Sequence, residues 1–334
     1  MVRGRTDAIA RSGTLRKTLQ MLDLRRLEAP VIQAGMGSIA RHELAAAVSE
    51  AGGLGTIGGV GAPIARELAA ARRLTGRLVA VNLLLPFMRP ADAKAAAAAD
   101  AIVTFWGPPR RLAPSTWIHQ CGSVPEAKAA AAAGADAVIV QGVEAGGHVR
   151  GTEPVLELVE RVLASVKLPV LAAGGIVDRE GVRGALESCA VAAVVGTRFL
   201  LSDESRAHSA YKRRCLRAET TMLTELFGLG WPDAPHRVIA NAATEHWLRD
   251  EPRGPGWIRA SNRLTAPAVR RLPVALQTRA LTRQRPSLPF LSPQPPTDGG
   301  PDNLLDSGPL YAGANVGRIT EIRSAAELVA ALTP

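Results

Sequence analysis

Short apolar runs separated by alanine-rich amphipathic stretches repeat through the first two-thirds of the chain. The runs are Val31–Met36, Gly53–Gly58, Leu78–Leu83, Ala101–Trp106, Trp117–Gly122, Ala137–Gln141, Val170–Ala173 and Ala193–Thr197. Most are continuously apolar rather than alternating, which is the pattern of parallel strands covered on both faces. Between them the helical period predicts helices over Arg41–Ala51, Ile64–Leu74, Val124–Ala133, Pro154–Val166 and Arg179–Cys189. Several stop at glycine, in SEAGG, RLTGR and AAAGAD, where glycine suits the left-handed cap that ends a helix.

Eight such alternations predict an α/β fold of the closed kind, a (β/α)8 TIM barrel, rather than an open sheet. The fourth unit is irregular. Its connection, GPPRRLAPST from Gly107, is too short and proline-rich for a crossover helix, so a loop is expected. From about Ser205 the rhythm changes. Helices expected near Ala207–Glu219 and Leu264–Leu281 flank GLGWPDAPHRVIANAATEHW, which shows no strand–helix repeat. The stretch RQRPSLPFLSPQPPTDGGPDNLLDSGP then reads as an irregular connector, and a last helix, Ser324–Leu332, is expected back on the barrel. The expected organisation is a barrel over residues 1–204, then a smaller, α-rich, basic subdomain with its connector over 205–304. The C-terminal segment, 305–334, returns to the barrel.

Composition narrows the class. With 334 residues, 47% of them hydrophobic, the chain can bury a sizeable core. Its three cysteines, Cys121, Cys189 and Cys215, have no paired spacing, which argues against a disulfide framework or zinc site and for a reducing compartment. The basic start, MVRGRTDAIARSGTLRKTLQ, lacks the apolar centre of a secretory signal. No run of 18 apolar residues occurs, so the expectation is a cytoplasmic protein without a membrane span. Nearly all of the net charge of +10 sits between Arg206 and Arg285, where 15 Lys or Arg face 6 Asp or Glu. No helix-turn-helix, zinc-finger or RNP pattern accompanies it, so nucleic acid is not an expected partner. The surplus reads as a solvated basic surface or one that attracts anionic substrates and cofactors.

In a TIM barrel the ligand-facing groups gather at the C-terminal ends of the strands. The seventh run ends at Gly174-Gly175 and the eighth at Gly196-Thr197. Backbone N–H groups free of side-chain bulk, with a helix start behind each, suit a phosphate. Tight βα turns would use the same glycines, but two on adjacent strands, with the Thr197 hydroxyl, favour the anion. The sixth run ends QGVEAGGHVRG, from Gln141 to Gly151, and sets His148 behind Gly146 and Gly147. Imidazole titrates near neutrality and can move a proton on a small substrate. His42, His119, His208, His236 and His246 lack that context and read as structural or solvent-facing. The first run ends QAGMGS, where Gly35 and Gly37 beside Met36 would let backbone amides approach a flat ring. Asn82, ending the third run, could hydrogen-bond a carbonyl or ring nitrogen. Acidic residues near the strand ends, such as Glu144 and Asp178, are isolated, and no metal site is expected.

The combination VIQAGMGS, ELAAAVSEAGGLGTIGG, VNLLLP, VQGVEAGGH and PVLAAGGI followed by VVGTRFL resembles the nitronate monooxygenase family, formerly the 2-nitropropane dioxygenases. The resemblance covers about residues 30–200, with YAGANVG near Tyr311 similar to the family's C-terminal segment. It implies FMN held non-covalently at the top of the barrel. Gly174, Gly175, Gly196 and Thr197 would hold its phosphate. Gln33, Gly35, Met36, Asn82 and Gln141, with Gly146 and Gly147, would border the rest. His148 would be the active-site base or orienting group, with Tyr311 beside the substrate. The implied partners are a nitronate and dioxygen, with NAD(P)H and a homodimer left open. Departures from the family pattern are Gly35, where many members carry proline, and Ala314-Asn315, where a glutamine is frequent. The implied activity is flavin-dependent oxidation of alkyl nitronates to a carbonyl compound and nitrite. An NAD(P)H-dependent FMN reductase acting on quinones or enoyl thioesters, and a non-catalytic flavin-binding protein, are the alternatives.

Overall fold

The computed structural model describes Leu24 and residues 27–272 and 274–334; the basic N-terminal stretch read above lies outside the described residues. Eight parallel strands alternate with helices. In chain order they are β1 (Val31–Gln33), β2 (Gly55–Gly58), β3 (Val79–Leu84), β4 (Ala101–Phe105), β5 (Thr116–Cys121), β6 (Ala137–Gln141), and, after a two-residue strand β7 (Gly147–His148), β8 (Val170–Ala173) and β9 (Ala192–Val195). The sheet runs β1-β9-β8-β6-β5-β4-β3-β2. A parallel bridge between Ile32 and Leu54 brings its two ends together, with Gln33 N donating to Leu54 O at 3.0 Å. The result is a nearly closed barrel, as the strand–helix rhythm predicts.

Four strands, β1, β2, β4 and β9, are shorter than their apolar runs, because residues such as Gly35, Met36 and Thr197 belong to the turns beside them. Period-2 alternation divides each strand between two environments. Ile32, Ala80, Val103, Ile118, Ile139, Leu171 and Val194 meet in one buried cluster inside the barrel. Val31, Trp117, Val138, Val140, Ala172 and Ala193 meet the surrounding helices in another. The same parity, one step towards the strand C-termini, places Asn82, Gln120 and Gln141 on the inner face. The barrel is thus apolar below and carries amides on top.

No helix occupies residues 106–115, the expected loop of the fourth unit. A helix missed in the sequence, α1 (Pro90–Ala96), covers the preceding crossover. The part after β9 differs more from expectation. The stretch without a strand–helix repeat supplies a strand, β11 (His236–Val238), which pairs antiparallel with β10 (Met222–Thr224) and with β7. It also holds a short helix, α2 (Ala242–Trp247), with Asn241 as its N-cap. The single helix expected over Leu264–Leu281 is two, α3 (Gly256–Val269) and α4 (Val274–Arg283). Leu272 precedes a proline, which disfavours the helical conformation there. Among the described residues no helix is long and apolar enough to cross a membrane.

A polar chain crosses the outer layer of the barrel. Trp117 Nε1 donates to Thr104 Oγ1 at 2.7 Å, and Thr104 Oγ1 lies 2.8 Å from His119 Nδ1. Burial lowers the His119 pKa from 6.5 to about 4. Between those values the unfolded chain binds a proton that the folded chain refuses, so stability falls as the pH drops from about 6.5 towards 4. Thermal unfolding followed by circular dichroism should show a smaller loss of Tm between pH 7 and pH 5 in His119→Gln than in the wild type. An equal loss would remove His119 from the acid response.

Candidate active site

At the C-terminal ends of the strands opens a cavity of about 920 Å³, near the top of the ~300–1,000 Å³ range of ligand pockets. Gln33, Gly35, Met36, Asn82, Gln141, Gly146, Gly147, His148, Gly174, Gly175, Gly196, Thr197 and Tyr311 all line it. The structure therefore brings the whole sequence-derived set together, but it gives its members different tasks.

One end is lined by bare backbone amides. Gly174 (φ +130°) and Gly175 (φ +68°) follow β8 in backbone conformations that a side chain resists, so two successive amides stand bare there. Thr197 opens the turn after β9, and its Oγ1 accepts from Gly313 N at 2.9 Å, which leaves the hydroxyl proton to donate elsewhere. Asn315 Nδ2 donates to Gly175 O at 2.7 Å and so braces the glycine turn from the C-terminal segment. At Gly196 an added Cβ would meet only Ala34 Cβ, at 3.8 Å, so the chain itself leaves space there.

The middle carries amides. Asn82 and Gln120 line the cavity, and their side-chain amides make no hydrogen bond to the described chain. Gln120 escaped the sequence reading, although its alternation with Ile118 marks it as inward-facing. Gln141 is half-committed: Oε1 accepts from Arg150 N at 2.9 Å and Nε2 donates to His148 O at 3.0 Å. Gln33 is a latch between strands, with Oε1 accepting from Thr56 N at 3.0 Å and Nε2 donating to Ala34 O. Two glycines serve the chain's own packing. A Cβ on Gly35 would stand 2.3 Å from Asn82 Cβ, and one on Gly146 would stand 2.6 Å from Gly313 N.

The other end is aromatic and built around His148. Its strand β7 pairs with β11 in the register His148↔His236, and Val149 N donates to Pro235 O at 2.7 Å. The imidazole stacks on Trp231, with centroids 3.7 Å apart and planes 18° apart. Trp106 meets it edge-on at 6.0 Å, and the Tyr311 ring lies 5.5 Å away. His148 Nε2 is buried without a hydrogen-bond partner, and so is Trp231 Nε1. Burial, with a smaller contribution from His236, holds the His148 pKa well below the ordinary 6.5. His236 is itself complete: Nδ1 lies 2.9 Å from Ala234 O, Nε2 accepts from Phe227 N at 3.3 Å, and burial lowers its pKa to about 4. The Tyr311 hydroxyl donates to Pro293 O at 2.8 Å. Trp231 was not singled out in the sequence, because only the β7–β11 pairing brings it to His148.

The isolated acids behave as caps. Glu144 accepts from Val155 N at 3.1 Å and Asp178 from Gly181 N at 2.9 Å. Among the described residues no cluster of His, Cys, Asp or Glu could hold a metal ion. Among the described residues the cavity wall contains Arg270 and Arg283, Arg89 with its guanidinium paired to Asp92 at 2.9 Å, and no Asp or Glu. Bare amides, a free hydroxyl, unpaired side-chain amides and a positive wall form a donor set that fits a phosphate-bearing heterocycle such as a flavin nucleotide.

Comparison with known proteins agrees with this geometry. The family model described as nitronate monooxygenase matches residues 18–107 and 112–334, and the four residues left out lie in the loop that replaces the fourth helix. A nitronate monooxygenase of Pseudomonas aeruginosa is 34% identical over 280 residues, 65% of this chain and 80% of that protein. A (3aS,4S,5R,7aS)-5-hydroxy-7a-methyl-1-oxo-octahydro-1H-indene-4-carboxyl-CoA dehydrogenase of Mycobacterium tuberculosis is 34% identical over 257 residues, 69% of this chain and 68% of that one. Among solved structures, FabK from Thermotoga maritima superposes with a TM-score of 0.72 at 28% identity, over 93% of each chain. A nitroalkane oxidase from Streptomyces ansochromogenes gives 0.71 at 27%, over 92% of this chain and 95% of that one. The chain belongs to the nitronate monooxygenase family and is a flavin-dependent oxidoreductase on a TIM barrel.

Proposed function

We propose that this protein oxidises alkyl nitronates with dioxygen to a carbonyl compound and nitrite, with FMN as its flavin. The observation that carries the reading is a cavity whose described lining holds Arg270 and Arg283, with Arg89 paired to Asp92, and a buried imidazole whose pKa is held well below 6.5 at its aromatic end. Such a cavity favours two anions, a phosphate at one end and a nitronate at the other.

FMN, when bound, supplies the electron acceptor and the centre at which dioxygen reacts. The amides of Gly174 and Gly175 and the hydroxyl of Thr197 would hold its phosphate, with Gly196 leaving the approach open. Asn82 and Gln120 would meet the polar edge of the ring. Gly35 and Met36 would border it, while Gln33 keeps the strand ends aligned. Gln141 acts through the backbone: by gripping His148 O and Arg150 N it fixes where the imidazole stands. Gly146 seats the C-terminal segment, and Gly147 leads into β7. Tyr311, anchored on Pro293, closes the side of the pocket next to His148.

The charge state of His148 bears on the substrate. A group whose pKa lies well below 6.5 is a poor base for a carbon-bound proton at neutral pH. A nitronate has already lost that proton. His148 Nε2, buried without a partner, needs only to hydrogen-bond one of its oxygens and to keep the ion oriented. The Trp231 stack keeps water from that face.

At pH 7.5, turnover of a pre-formed alkyl nitronate should exceed that of the neutral nitroalkane by about 100-fold or more, measured as nitrite release. Equal rates would show that the site removes the proton itself. Anaerobic mixing should bleach the flavin with nitronate alone. Bleaching by NADH or NADPH, with no response to nitronate, would replace this proposal by the reductase reading.

Replacing His148 by Asn should lower turnover by about 100-fold while the flavin absorbance stays as in the wild type. Full activity in His148→Asn would take the imidazole out of the mechanism. At the opposite end, Thr197→Val should weaken FMN binding by about tenfold, the loss of a hydrogen bond to a charged group, while Thr197→Ser retains it. Equal affinity of all three proteins in a fluorescence titration would move the phosphate elsewhere.

A further inference from the structure

The cavity continues beyond the strand ends, and its outer part has a different character. Leu229, Val269, Leu272, Leu281, Leu288 and Phe290, from the region after the barrel, line it. Three of them are unusually exposed for large apolar side chains: Leu272 at 41%, Leu288 at 45% and Phe290 at 46%. Exposed apolar groups scattered singly carry no message, but three on one cavity wall mark a surface that something covers.

The connector that presents two of them is held at many points. Gln284 Oε1 accepts from Ser292 N at 2.9 Å, and Leu229 N donates to Leu291 O at 3.1 Å. Trp247 Nε1 donates to Pro286 O at 2.8 Å, and Tyr311 grips Pro293 O. Gln294 Nε2 reaches Ser38 on the barrel at 3.2 Å. Alternation sorts the side chains: Leu291 is fully buried in the cluster with Leu226, Phe227 and Ile258, whereas Phe290 lines the cavity. A pinned segment thus holds apolar side chains at an open wall, where leaving them wet costs free energy.

We propose that this outer lobe binds the hydrocarbon tail of the substrate, so that the enzyme selects nitro compounds carrying an unbranched apolar chain of about four carbons or more. The outer lobe shares one cavity with the strand ends and His148, and Arg270, Arg283 and Gln284, which follow Val269 and Leu281 in the chain, give its apolar strip polar edges. A molecule whose charged head is held by His148 therefore extends its tail along Val269, Leu281, Leu288 and Phe290. The inference rests on the placement of the substrate head given above, and it deepens that reading by naming the substrate class.

The test is a homologous series of neutral 1-nitroalkanes from two to eight carbons, titrated into the flavin-loaded enzyme and followed by flavin fluorescence or calorimetry. Each methylene buried in the lobe should lower Kd by about two- to fourfold, and the gain should continue past four carbons. In the double variant Leu288→Ser, Phe290→Ser, the eight-carbon member should lose about tenfold or more in affinity and the slope should flatten. A Kd independent of length beyond three carbons, or an unchanged slope in the double variant, overturns the proposal. The matching nitronates separate the two ideas. Turnover with KM independent of length keeps the reaction and sinks the lobe, whereas length-dependent binding without turnover keeps the lobe and sinks the reaction.

Discussion

A three-residue strand, His236–Val238, organises the reactive end of this molecule. On one edge it pairs with Met222–Thr224, on the other with Gly147–His148, and Val238 also bridges to Tyr311. The Arg237 side chain reaches through to donate to Val143 O at 2.7 Å. The loop that carries the candidate catalytic imidazole is therefore tied less to the barrel it leaves than to the chain that follows the barrel. Residues after the last barrel strand complete the site: Trp231 stacks on His148, Tyr311 stands beside it, and His236 backs it with both ring nitrogens already engaged. A neutral histidine follows from that enclosure. The ring is walled by Trp231 and Trp106, its titratable neighbours His236 and Tyr311 are uncharged, and Arg150, two residues on, is paired with Glu126.

The glycine-turn end of the cavity is built by the same rule of mutual support. Gly313 donates to Thr197, Ala314 N donates to Glu144 O at 2.9 Å, and Asn315 braces Gly175. The Ala314-Asn315 pair sits between the loops after β6 and β8. One segment near the C-terminus thus locks three strand-end loops together, and the glycines at 146 and 313 exist to let it in. Glycine at 35 has a comparable reason, since Asn82 occupies the space that a Cβ would need.

Much of this was legible in the sequence because parallel barrel strands are buried on both faces. Mostly continuous apolar runs marked the eight strands, and glycines marked several of their ends. The gathering of Asn82, Gln141, His148 and Thr197 followed from the barrel, which brings every strand end to one rim. What escaped depends on contacts with no local period. A three-residue strand such as His236–Val238 has too few positions to show alternation. Trp231 becomes significant only once that strand has paired with β7. The division of the expected helix over Leu264–Leu281 was signalled by proline in RRLPV, and the alanine- and leucine-rich flanks concealed it. Gln120 was readable and overlooked, since it shares the parity of Ile118.

The missing fourth helix shows how a deletion becomes part of a site. With only a short loop between Phe105 and Thr116, the chain turns sharply at Trp106, whose φ of +63° is unfavourable for a bulky side chain and costs about 1–3 kcal/mol. Three contacts offset that strain. Trp106 meets Phe105 edge-on at 5.4 Å and Trp231 at 5.2 Å, and the Arg150 guanidinium lies 5.0 Å above its ring. Aromatic pairs and cation–π contacts contribute roughly 0.5–1.5 kcal/mol each, so together they match the cost of the turn. The strained tryptophan backs Trp231, which backs His148. A longer, helical connection would relax the turn and withdraw that support, so the short loop and the stacked histidine belong to one arrangement.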